Sequence, residues 1–68
     1  MTTYVAHNMT RWTRINCDTE EAALFEIDRV EPDGPFVRPG DSWEVWRLTG
    51  EGAGTGKIIH HGVGPRTH

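Results

Sequence analysis

The sequence predicts a small α+β domain, one helix packed on a three-stranded sheet in the order β-α-β-β, and three observations predict it. The run from Thr10 to Cys17 is rich in Thr, Trp and Ile, residue types that suit a pleated surface. Asp18, followed three residues later by Glu21, forms a capping-box pattern, with an apolar stripe at Ala23, Ile27 and Val30 behind it. Two further apolar runs, Ser42 to Thr49 and Lys57 to Val63, are joined by the glycine-rich segment 50–56, short enough to make them antiparallel neighbours.

Each element has its own signals. The first strand covers Thr10 to Cys17, with Tyr4 as its furthest upstream limit. The helix ends near Val30 or Glu31, and Glu20, Glu21 and Glu26 put negative charge toward the positive end of its dipole. Leu24 to Val30 also reads as a strand with Phe25 and Ile27 on one face, which would give a small all-β, SH3-like barrel. The cap and the paired alanines favour the helix. Phe25 lies away from the helix stripe, which points to packing under the following loop. Pro32, Pro35 and Pro39 exclude a long regular element between Glu31 and Ser42. Residues 31–34 suit a type I turn; Arg38-Pro39-Gly40-Asp41 suits a type II turn, with Gly40 supplying positive φ. Phe36 and Val37, between the turns, anchor the loop to the core.

Sixty-eight residues make one domain, 1–68, with 65–68 expected to fray. Only 13 of those residues are Leu, Ile, Val or Phe, but a net charge of −3 and three tryptophans argue for a folded chain with a thin core. The single cysteine, Cys17, excludes an internal disulfide, and the N-terminal residues lack the charged and apolar regions of an export signal. A cytoplasmic, non-membrane protein is expected. The mildly acidic balance disfavours a duplex nucleic-acid binder, whose affinity comes mostly from neutralising phosphates.

No motif assigns chemistry. In Gly50 to Lys57 the phosphate-loop spacing fails, because Glu51 stands where the first glycine is needed and Ile58 where a hydroxyl would hold magnesium. His60 and His61 are adjacent on a strand and so face opposite sides, and neither they nor His7, His68 and Cys17 show a metal-finger spacing. Cys17 lacks a recognisable orienting partner for nucleophilic work. No enzyme activity, cofactor or metal is expected.

The aromatic pattern is more informative. With Ile15 and Cys17 turned to the helix, Trp12, Arg14 and Asn16 face the other way. With Trp43 and Val45 in the core, Glu44, Trp46 and Leu48 face outward. In the last strand the same alternation turns Ile59 and Val63 inward and Ile58 and His60 outward. One helix covers one face, so a patch carrying Trp12, Arg14, Trp46 and His60 is left open under this register. The expected function is a non-enzymatic module that binds a protein partner through this face, of the kind of a phage-type or accessory modulator of a host protein. Two alternatives use the same surface: single-stranded nucleic-acid binding, with Trp12 and Trp46 stacking bases beside Arg11, Arg14 and Arg47, and an obligate homodimer with a structural role.

Overall fold

The computed structural model describes residues 2–30, 35–49 and 56–66. Strands β1 (Thr2–Asn8) and β2 (Thr13–Cys17) come first, then helix α1 (Glu20–Asp28), then strands β3 (Ser42–Thr49) and β4 (Gly56–Val63). They build one four-stranded antiparallel sheet in the order β2-β1-β3-β4, with α1 packed on one face. The α+β class holds, and the three-stranded sheet is corrected to four. The segment upstream of Trp12 is a strand of its own, and it occupies the middle of the sheet.

The turn that divides the expected first strand is made by a side chain. Asn8 Oδ1 accepts from the backbone N–H groups of Thr10 and Arg11, each at 3.0 Å, which curls the chain back on itself without glycine or proline. Trp12 completes the turn at φ 58°, a left-handed conformation that bulky residues adopt at some cost. Asn8 is fully buried, and its Nδ2 donates to Phe36 O at 2.8 Å and to Asp41 Oδ2 at 2.9 Å. One amide therefore ties the first turn to the 35–41 loop.

Asp41 is the other half of this node. Its Oδ2 also accepts from Arg38 N at 3.2 Å and pairs with Arg11 Nε at 3.1 Å, while its carbonyl accepts from Gly64 N at 2.7 Å. The Asn8 hydrogen bond, then the Arg38 N–H and the charges of Arg11 and Arg38, outweigh its burial and hold the carboxyl below the usual aspartate range. The turn at Arg38–Asp41 has the expected form, with Gly40 at φ 92° and Asp41 N donating to Arg38 O at 3.0 Å. The turn expected at 31–34 lies outside the described residues.

The helix begins one residue later than the capping-box pattern indicates. Thr19, not Asp18, is the N-cap, its Oγ1 accepting from Ala22 N at 3.0 Å. It also ends earlier, at Asp28, with Arg29 already extended. Ala23 and Ile27 are buried as the stripe predicts, but Val30 lies past the end and is largely exposed, as is Phe25, which does not pack under the loop. No described helix is long and apolar enough to cross a membrane.

Ala6, Ala23, Ile27, Val37, Trp43 and Val45 form the core between α1 and the sheet, flanked by Tyr4, Cys17, Leu24, Phe36 and Ile59. Trp43 lies over β4, where a Cβ built on Gly62 would stand 2.8 Å from its Cζ2; its Nε1 donates to Gly64 O at 2.9 Å. The register of β3 and β4 shifts between Val45, opposite His60, and Trp46, opposite Ile58, so Ile59 is an extra residue. This bulge resets the alternation of β4. Ile59 packs against the core and His60 lies on the same side, where its Nε2 sits 2.7 Å from Glu20 Oε2. The expected outward place of His60 is corrected, as is the inward place of Val63, which is 71% exposed.

Candidate contact face

The sheet face opposite α1 is built by strand register. Across its first row lie Arg14 of β2, His7 of β1, Glu44 of β3 and His61 of β4. The next row carries Asn16, Val5, Trp46 and Ile58, and the third carries Thr3, Leu48 and Gly56. Period-2 alternation puts all of these on one side. The result is an apolar centre with a polar row along one border.

Val5, His7, Arg14, Trp46 and Leu48 line a shallow groove of about 250 Å³ in the middle of this face. Val5 is 5% exposed because Trp46 and its other neighbours crowd it, whereas Trp46 and Leu48 are half-buried and Ile58 is 40% exposed. Trp46 lies against the edge strand: a Cβ built on Gly56 would stand 3.0 Å from its Cε3 and 2.7 Å from Leu48 Cδ2. Its Nε1 donates to Glu44 Oε1 at 3.0 Å, which fixes the ring across the face and occupies that carboxylate. Glu44 is the one acid that the strand register puts on this face among the described residues, while Asp18, Glu20, Glu21, Glu26 and Asp28 lie on or beside α1.

Trp12 is not on a strand, so alternation does not place it. The turn does: its ring centroid lies 6.0 Å from that of His7 at an interplanar angle of 48°, which sets it at the corner of the open face with 79% of its surface exposed. Trp12, Arg14 and Trp46 therefore share one side of the molecule and His60 is on the other. His7 and Val5 belong to the face and were missed, because the strand that carries them was not separated from the strand that follows it.

The other titratable groups are not brought together for chemistry. Among the described residues, no three His, Cys, Asp or Glu side chains cluster as a metal ion would require. Cys17 lies on the helix side, its Sγ 3.9 Å from Ile15 O, and burial together with the nearby Glu26 and Asp18 charges raises its thiol pKa and disfavours the thiolate. Arg66 donates through Nε and Nη2 to the two oxygens of Asp28, at 2.9 and 2.7 Å, clamping the end of the chain to the helix terminus. No family model, characterised protein or solved structure matches this chain.

Proposed function

We propose that the chain is a non-enzymatic binding module whose open sheet face takes a protein partner, with Trp12 and Trp46 as anchors and Arg14 at the rim. The observation that carries this reading is Trp12. A tryptophan 79% exposed in a left-handed turn position contributes little burial and carries backbone strain, so beyond its contact with His7 the fold gains little from that residue type there. Beside it lies an uncovered apolar groove, and Trp and Arg are the residue types that most often dominate interface energetics. Among the described residues the face pairs cationic Arg14 and two histidines with a single carboxylate that Trp46 already engages. A partner presenting an apolar patch bordered by carboxylates complements it.

The test is affinity capture from cell extract with the wild-type chain, Trp12→Gly, Arg14→Gln and a control, Phe25→Ala, on the exposed side of the helix. A protein held by the wild type and the control, and lost by the first two variants, supports the reading. Equal retention by all four overturns it. Two parallel measurements identify the rival occupants. Salt-sensitive quenching of tryptophan fluorescence by a short oligonucleotide would assign the face to single-stranded nucleic acid. A solution mass of two chains that falls to one in Trp12→Gly would assign it to self-association.

A further inference from the structure

A second groove, of about 270 Å³, opens on the helix side of β2, between that edge strand, the end of α1 and the loop at Pro35. Ile15, Phe36 and Pro35 give it an apolar floor, and Arg11, Arg14 and Arg29 line it. Two of these arginines have a carboxylate oxygen close to Nε: Arg11 that of Asp41 at 3.1 Å and Arg29 that of Glu26 at 3.1 Å. A guanidinium carries five N–H donors in a planar fork, so a carboxylate close to Nε leaves the Nη donors for a ligand; at Arg29 the buried Nε and Glu26 Oε1 are near each other without a hydrogen bond. Arg14 has no ion-pair partner among the described residues. Three arginines against two carboxylates leave the lining one positive charge in excess, with Arg14, on the edge strand, shared with the open face.

We infer that this groove binds an organic oxyanion, a phosphate monoester or a carboxylate carried on a small apolar body. The arginine forks match the oxygens of either headgroup in bidentate fashion, and the Ile15, Phe36 and Pro35 floor takes the body. A space of this size holds a fragment, below the usual range for larger ligands. The site stands apart from the open-face reading: Arg14 lines both grooves, but Arg29 is absent from the open-face groove and Trp46 from this one.

The experiment is titration of the full chain with phenyl phosphate, phenylacetate and inorganic phosphate at constant ionic strength, followed by backbone amide chemical shifts. Expected are shifts concentrated at Thr13, Ile15, Arg29 and Phe36, with at least one of the two aromatic anions binding about fivefold or more tightly than inorganic phosphate. The tighter of the two names the headgroup. Arg14→Gln and Arg29→Gln should each weaken that binding about tenfold, while Trp46→Ala leaves it unchanged. Arg14 has no structural partner to lose, so its variant keeps the test meaningful if Arg29→Gln perturbs the end of the helix. Binding that persists in both variants, or that does not distinguish the aromatic anions from inorganic phosphate, overturns the inference.

Discussion

Trp43 and Trp46 sit three residues apart on β3 and use the same local device on opposite faces of the sheet. Each ring lies over a glycine of the edge strand, Trp43 over Gly62 and Trp46 over Gly56, and each indole N–H has a hydrogen-bond acceptor. What differs is what lies above the ring. Trp43 belongs to the core cluster with Ile27 and Ala23 of the helix and Val37 of the loop, and it is 5% exposed; over Trp46 there is a groove. The glycine seats orient a tryptophan, and only the second layer decides whether it becomes core or surface.

Truncating each ring measures that difference directly. Trp43→Ala should cost about 3–5 kcal/mol, enough to unfold most molecules of so small a domain, whereas Trp46→Ala should cost about 1–2 kcal/mol; urea denaturation followed by circular dichroism reads both. A similar loss for the two would mean the open face is as integral to the core as the covered one. Filling the seats is a finer probe. Gly62→Ala drives a methyl into a ring pinned under the helix and should cost about 1–3 kcal/mol, while Gly56→Ala meets first the end of the flexible Leu48 side chain and should cost less than about 1 kcal/mol.

The polar node belongs to the covered side of the molecule and extends the contrast. Asn8→Ala leaves the N–H groups of Thr10 and Arg11 and the Asp41 carboxylate short of partners, at a cost of about 1–3 kcal/mol in the same assay. Because the folded-state pKa of Asp41 is depressed, its contribution to stability is fully present above its ordinary value of 3.8 and is lost as pH falls through the lower folded value. An Asp41→Asn variant should lack that part of the acid limb of a midpoint-against-pH curve. The smallest effect belongs to Trp12→Gly. Relief of the left-handed strain and the added freedom of the unfolded chain nearly offset, so stability changes by less than about 1 kcal/mol, while partner capture is lost.

Much of the architecture was legible in the sequence, and what was not has specific causes. The helix, β3, β4 and the turn at Gly40 were readable because caps, proline, glycine and apolar runs act locally. The hairpin between β1 and β2 was hidden because its turn depends on the Asn8 side chain and on Trp12 in a conformation that sequence rules reserve for glycine or asparagine. The sidedness of His60 was hidden for another reason. A bulge at Ile59 is a property of the β3–β4 pair, and nothing in β4 alone announces that its alternation is interrupted. Of the surface residues expected together, Trp12, Arg14 and Trp46 share a side, the first brought there by a turn that alternation does not describe.

The order of the strands also has a consequence for how the chain reaches this structure. β1 is made before its sheet neighbours, yet it lies between β2, which follows at once, and β3, whose pairing partners run from Thr2 with Thr49 to Asn8 with Trp43. The β1–β2 hairpin closes locally and quickly, in microseconds, while the centre of the sheet waits until β3 has been made. Until then the β3-facing edge of β1 is unpaired and its Val5 and Ala6 are uncovered, so a nascent chain passes through a stage that is vulnerable to association with its neighbours.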